Sequence, residues 1–262
     1  MTTTRESRSY HTQAIVLGHS EYGEADRILK LFTREKGRIS AIAKGVRKIR
    51  SRKAGHLEPF TLANLMLAKG RNLDIVTQAE TVNAFMGLKD DLESLAVASY
   101  IIEVLERFTF QEGKNLGIFR LLVNTLTRLE THEFTEVVVH YYEMRLLDLL
   151  GFRPQLFTCI DCGKVIKAED QYFSPLAGGV VCPRCKPGRP EAWPVSKDIL
   201  KYLRHFQRSN WKQLSLLKLP EEIEAGLTDL ITQYLTYLLE RKLNTPNFIA
   251  EIRRNRDINK HQ

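Results

Sequence analysis

The chain lacks the loops by which proteins hold nucleotide phosphates. Neither G-x-x-x-x-G-K-[ST] nor G-x-G-x-x-G occurs in its 262 residues, so no ATP or dinucleotide site is written into it. It has no apolar run of about eighteen residues, the length that crosses a bilayer, so nothing spans a membrane. No charged, apolar, small-residue leader opens it, which argues for a cytoplasmic rather than a secreted protein. His132-Glu133 has no second histidine at the metalloprotease spacing. The seven histidines are scattered, none with an evident acid and nucleophile partner. Aromatic rings are scarce at the amino-terminal end: Tyr10, Tyr22, Phe32 and Phe60 are the only ones before residue 81, and Phe32 and Phe60 fall where an apolar core is expected. Base-by-base reading of a single strand needs more exposed rings than that. These absences point to a protein without catalytic activity, membrane contact or small-molecule substrate.

Cysteine is also rare, but the four present are paired as Cys159-Ile-Asp-Cys162 and Cys182-Pro-Arg-Cys185. Two C-x2-C knuckles, separated by a spacer long enough for a short hairpin, fit one tetrahedral metal site better than two disulfides or a redox C-x-x-C. Gln171-Tyr172-Phe173 and Val180-Val181 read as strands around the turn Ala177-Gly178-Gly179. No histidine lies between the outer cysteines, so the expected ligands are four thiolates closing around one structural Zn2+, with no position open for catalysis. Lys164, Lys167, Arg184, Lys186 and Arg189 flank the knuckles and would offset the surplus negative charge of such a site.

Up to residue 80 the hydrophobic pattern has the period of strands. Thr12 to Gly18, Ala25 to Thr33, Arg38 to Lys44, Phe60 to Ala68 and Leu73 to Glu80 are short apolar or alternating runs, separated by glycine and proline signals. Five strands in this length suggest a small barrel, an OB-fold or an SH3-like one. From about Asp90 the period becomes helical. Leu92 to Glu106, Ile118 to Leu129 and Phe134 to Leu150 form three helices, the last stopped by Gly151; Ser196 N-caps a fourth, and Pro220-Glu221-Glu222 opens a fifth running to about Lys242. The expected class is α+β and multidomain: a β-barrel over 1–82, a helical domain over 83–262, and a four-cysteine ribbon inserted at about 157–189.

The formal net charge is +8, and it is unevenly spread. Residues 1–80 hold 15 Lys/Arg against 8 Asp/Glu, and residues 81–252 hold 20 against 22. The last ten residues add Arg253, Arg254, Arg256 and Lys260 against Asp257. Between the third and fourth strands lies Lys44-Gly45-Val46-Arg47-Lys48-Ile49-Arg50-Ser51-Arg52-Lys53, whose six cations have no acid among them. Such a loop repels itself when free and seeks a polyanion. If all six cations met phosphates of a single strand, the salt slope would be about −4, at roughly −0.7 per phosphate. Lys44, Arg47, Lys48, Arg50, Arg52 and Lys53, with Arg27, Arg34 and Arg71, are the candidate DNA contacts, binding through the backbone with little sequence preference. Glu21, Glu24 and Asp26 read as polar barrel-rim residues rather than a nuclease metal site, since Arg27 adjoins them and no partner acids stand on neighbouring strands. In the carboxy-terminal half, Arg204 and Arg208 edge apolar helical positions, a pattern that suits either a docking groove for an acidic, hydrophobic peptide or an ordinary core rim.

Taken in order, Ala14-Ile15-Val16-Leu17, Tyr22-Gly23-Glu24-Ala25-Asp26-Arg27-Ile28, Leu31-Phe32-Thr33, Ala43-Lys44-Gly45-Val46-Arg47 and Leu57-Glu58-Pro59-Phe60 resemble the amino-terminal domain of the RecO family of bacterial DNA repair proteins. Leu150-Gly151-Phe152-Arg153-Pro154, the first knuckle, Tyr172-Phe173-Ser174-Pro175 and Gly178-Gly179-Val180-Val181-Cys182 are similar to that family's zinc-bearing segment. The resemblance covers nearly the whole chain. It implies an OB-fold, a helical domain and a structural zinc ribbon. It also implies a nucleoid-associated, non-enzymatic recombination mediator that binds single- and double-stranded DNA and anneals complementary strands. The implied partners are RecR and the C-terminal tail of the single-stranded DNA-binding protein SSB, with RecA as the recombinase to be loaded. An RNA-binding or transcription-associated zinc-ribbon factor is the alternative that the residues leave open.

Overall fold

The computed structural model describes residues 8–110, 113–131, 135–246 and 248–252. The chain packs as two units, one drawn from Met1–Thr131 with Asn247–Gln262 and the other from His132–Pro246.

The first unit is built on five strands, β1 (Ser9–Tyr22), β2 (Asp26–Thr33), β3 (Gly37–Ala43), β4 (Leu62–Ala68) and β5 (Asp74–Asn83). Their hydrogen-bonded order is β1-β2-β3-β5-β4, with β4 returning to β1, an OB-like sheet in which only the β3–β5 pairing is parallel. One long strand makes that return possible. The first part of β1 pairs with β4 and the second with β2, and the register shifts between Val16 and Gly18. An extra residue at that point bends the strand from one partner to the other. Alternation then sends Ala14, Val16, Leu29, Leu31, Leu65 and Leu67 into a common core. Phe32 is buried as expected and stacks on Phe119 at 6.4 Å. Phe60 departs from expectation: it is half-buried with a left-handed backbone, φ 65°. Its amide donates to the Val16 carbonyl while the Val16 amide donates to Thr61 O, so the chain turns there and β4 begins two residues later than the apolar run suggests.

Helices α1 (Met86–Lys89), α2 (Leu92–Phe108) and α3 (Leu116–Glu130) complete this unit. Asp91 and Asn115 N-cap the two long ones, accepting from the amides of Ser94 and Ile118. Arg38 of β3 donates to the Glu106 carbonyl at 2.6 Å. A cation at the carboxy-terminal end of α2 meets both an orphan carbonyl and the negative end of the helix dipole. Gly37 (φ 68°) lies so close to the Gly113 carbonyl that no Cβ fits between them.

In the second unit, α4 (Thr135–Leu149) closes as the sequence predicts. Gly151 takes φ 84°, its amide donates to Asp148 O, and the Phe152 amide donates to Leu147 O, the paired bonds of a Schellman ending. The ribbon follows as β6 (Gln171–Ser174), β7 (Gly179–Val181) and β8 (Trp193–Val195), and then α5 (Lys197–Arg208), α6 (Trp211–Leu214) and α7 (Glu221–Leu239). Ser196 caps α5 and Pro220 precedes α7, whose first turn carries Glu221, Glu222 and Glu224. The β6–β7 hairpin matches the expected one; β8, on the other edge of β6, was not foreseen. The helix start expected at Phe134, the His132-Glu133 pair and the basic tail from Arg253 lie outside the described residues. No helix among those described is long and apolar enough to cross a membrane.

Candidate nucleic-acid interface and metal centre

The ribbon's knuckles are shaped by backbone bonds. Gly163 N donates to Cys159 O at 2.9 Å, Cys185 N to Cys182 O at 2.9 Å, and Cys182 N to the Cys159 sulfur at 3.4 Å. Gly179 must be glycine, because a Cβ there would sit 2.7 Å from Gln155 O and from Ile160. The result gathers all four Sγ atoms within 4.8 Å of one another, with Cys162 and Cys182 3.9 Å apart. A tetrahedron of 2.3 Å metal–sulfur bonds has edges of about 3.8 Å, whereas a disulfide needs about 2.05 Å. None of the four cysteines is in a disulfide. Burial pushes the Cys159 thiol up, but the amides of Cys162, Cys182 and Asp161 outweigh it and hold the pKa at about 6. Cys185 is pushed up to about 12, first by its hydrogen bond with Cys182 and then by burial and the remaining thiols. One sulfur ionises readily and the next resists. Four negative charges in this space need a cation among them, and the donor set fits a single closed metal site. Among the described residues it is the only such grouping; Glu21, Glu24 and Asp26 do not form one.

Of the five cations that flank the knuckles, Lys164, Lys167 and Arg184 are exposed, whereas Lys186 and Arg189 are engaged by the ribbon itself. Arg189 grips Asp161 at 2.8 Å and reaches Glu191, and Lys186 donates to the carbonyls of Arg189 and Pro190. They tie the second knuckle to the first. The ribbon in turn is fastened to its helices. Arg204 of α5 donates to Leu156 O at 2.8 Å, Gln207 to Pro154 O, and Phe173 packs edge-on against Tyr234 of α7 at 5.0 Å.

On the sheet, strand direction separates the nine candidate DNA contacts into two sets. Arg34 and Arg71 sit in the turns at the end where β1 begins, near Ala68 and Thr33 in the pairing register. The β3–β4 loop leaves from the opposite end, beside the β1–β2 turn. It is not a loose charge run. Val46 is buried, Gly45 N donates to Asp26 Oδ1 at 2.7 Å, and Arg47 N donates to Ala25 O at 3.0 Å. Three of this end's cations are partly engaged. Arg27 pairs with Glu58 at 3.0 Å, Arg47 with Glu21 at 3.2 Å, and the Lys53 ammonium donates to Val76 O at 2.8 Å. Burial lowers the Lys53 pKa against the opposing pull of Asp26. Arg34 stands 3.8 Å from Glu35. Lys44, Lys48, Arg50, Arg52 and Arg71 are exposed, and none enters an ion pair with a described residue. Tyr22, beside this loop, is half exposed, whereas Tyr10 is held by Asp74 and covered by Lys36.

Arg204 and Arg208 both stack on Phe157, with the Arg208 guanidinium 3.7 Å from the ring centroid. Burial, with Arg208 alongside, lowers the Arg204 pKa. Arg204 also lines an apolar-walled cavity of about 300 Å³ with Lys167, Lys197, Leu200 and Lys201, where Asp198 is the one acid. Sequence reasoning passed over Lys197 and Lys201. The signal was present, since Lys197, Lys201, Arg204 and Arg208 recur at helical spacing along α5.

The family model described as Recombination protein O N terminal matches residues 7–85, and that described as Recombination protein O C terminal matches residues 89–246. A DNA repair protein RecO from Roseiflexus sp. (strain RS-1) is 38% identical over 246 residues, covering 94% of this chain and 87% of that one. The DNA repair protein RecO of Dehalococcoides mccartyi (strain ATCC BAA-2266 / KCTC 15142 / 195) is 35% identical over 233 residues, 89% of this chain and 92% of the relative. That of Thermoanaerobacter sp. (strain X514) is 31% identical over 246 residues, 94% and 98%.

Proposed function

The chain belongs to the RecO family of DNA repair proteins, and from that premise we propose that it is a non-enzymatic recombination mediator acting on DNA through phosphate contacts at the β3–β4 loop. The observation that carries this reading is the exposure of Lys44, Lys48, Arg50 and Arg52 on a frame already tied down by Val46, Gly45 and Arg47. Cations held out without acid partners keep their charge for a polyanion, and little ordering is left to be done on binding.

On this reading the protein binds both single- and double-stranded DNA. Two strands brought to one basic surface repel each other less and meet at higher local concentration, so annealing needs no active site. One Zn2+ held by Cys159, Cys162, Cys182 and Cys185 serves as scaffold for the ribbon. The acidic, hydrophobic C-terminal tail of SSB docks at the α5 cavity, steered by Lys197, Lys201 and Arg204, with Arg208 at its edge. With RecR, the protein then helps load RecA onto SSB-coated DNA, in the cytoplasm at the nucleoid.

A strand-annealing assay with complementary oligonucleotides, with and without SSB, tests the proposal. Acceleration in both conditions is expected, with that on SSB-coated strands lost in Lys201→Glu. No acceleration of bare strands would refute the mediator reading.

A further inference from the structure

Within the cationic loop, Ile49 stands apart: at 105% relative exposure it is the most exposed large hydrophobic residue among those described. A lone exposed isoleucine is ordinary on a protein surface, and exposure alone would mean nothing. Its placement is what carries weight. Val46, three residues earlier, is buried and anchors the loop. The Lys48 amide donates to Gly45 O at 3.2 Å and the Ser51 amide to Lys48 O at 2.9 Å, so two successive turns form and Ile49 stands exposed in the second. Lys48 and Arg50 flank it directly, and both are exposed, as is Arg52. A β-branched side chain has few rotamers to lose when it is gripped. An apolar tip on a stiff turn, between cations that can hold phosphates, has the composition of side chains that enter a base step and part its stacked pairs.

We propose that Ile49 is an apolar wedge that enters a base step of duplex DNA while Lys48, Arg50 and Arg52 hold the phosphates beside it. The proposal rests on the DNA-binding reading of this loop and adds to it a local opening of the duplex. The charges supply affinity and the salt dependence. The isoleucine supplies the unstacking, which charges alone do not.

Full-length protein titrated onto a duplex carrying 2-aminopurine at regular intervals in one strand tests this, because the base brightens when it unstacks. The parent protein should raise the fluorescence severalfold. Ile49→Ser should abolish the rise at saturating protein, weaken binding by about tenfold, the worth of one buried aliphatic side chain, and leave the salt slope unchanged; Ile49→Leu should retain the rise. Brightening by Ile49→Ser equal to the parent's would overturn the wedge. So would a parent that binds without brightening, which would leave Ile49 as an apolar contact for a protein. The combined Lys44, Lys48, Arg50 and Arg52 alanine variant separates the two readings. If it still binds DNA as the parent does, the loop assignment fails and the wedge with it; if it loses binding while Ile49→Ser still brightens the probe, the wedge alone fails.

Discussion

Two regions of this molecule gather lysine and arginine, the β3–β4 loop, where no acid lies among them, and the four-cysteine ribbon, where Asp161, Glu169 and Asp170 do. The structure engages their cations to different degrees. Around the ribbon, Arg189 and Lys186 end on Asp161, Glu191 and two carbonyls, and Arg204 ends on Leu156 O, while Lys164, Lys167 and Arg184 are exposed. In the loop, Lys44, Lys48, Arg50 and Arg52 end in solvent. Cation density alone therefore does not mark a binding surface; what each cation already touches decides whether its charge remains available.

The largest effect that would sharpen the contrast is loss of the metal proposed for the four cysteines. Structural zinc is worth on the order of 10 kcal/mol in small zinc modules, so Cys182→Ser should release it and open the ribbon to proteolysis between about residues 157 and 189. Phe173 and its neighbours pack on α7, so the second unit should also lose helical cooperativity while DNA binding by the barrel persists. Metal analysis, circular dichroism and limited proteolysis follow these changes. A parent without bound zinc, or with Cys159 and Cys162 oxidised to a disulfide, would break the account of this region.

Next in size is Arg204→Ala. It strands a carbonyl that the guanidinium now satisfies, at about 1–3 kcal/mol, and should lower the melting temperature. Lys201→Glu, on the same cavity but with no such bond, should leave melting unchanged and weaken binding of an acidic peptide matching the SSB tail. Equal melting of the two variants would mean that the Arg204 bond to the ribbon contributes nothing.

Lys53→Met is the matching case on the barrel. It should cost about 1 kcal/mol by leaving Val76 O without its donor, yet keep the salt slope of DNA binding at the parent value. Smallest of all, Arg189→Ala should leave DNA binding unchanged and lower the melting temperature only slightly, since a part-exposed ion pair contributes little even when bidentate.

Much of this was legible in advance where a signal is local. Gly151 and Ser196 announce a helix end and a helix start by their own backbone and side-chain chemistry, and both serve as read. Five alternating runs yield five strands, and two C-x2-C knuckles bring four sulfurs together. Among the shortest elements, β6 and β7 were legible from the glycine turn between them, whereas α1, α6 and β8 were not, because so short a stretch has no period and no such turn marks them. Nor were the partners of the cations. Arg27 meets Glu58 and Arg38 meets Glu106 O only once the barrel and helix have packed, which no spacing along the chain encodes. The α5 stripe is different: its spacing was visible and needed only to be read as one face.

The salt dependence of single-stranded DNA binding, measured on the parent, on the Lys44, Lys48, Arg50 and Arg52 alanine variant, and on a Lys186, Arg189 alanine variant, bears most directly on the contrast between exposed and engaged cations. The loop variant should have a slope shallower by about three, from roughly 0.7 per lost phosphate contact, and the ribbon variant should match the parent. A loop variant with the parent's slope, or a ribbon variant with the shallower one, would contradict it.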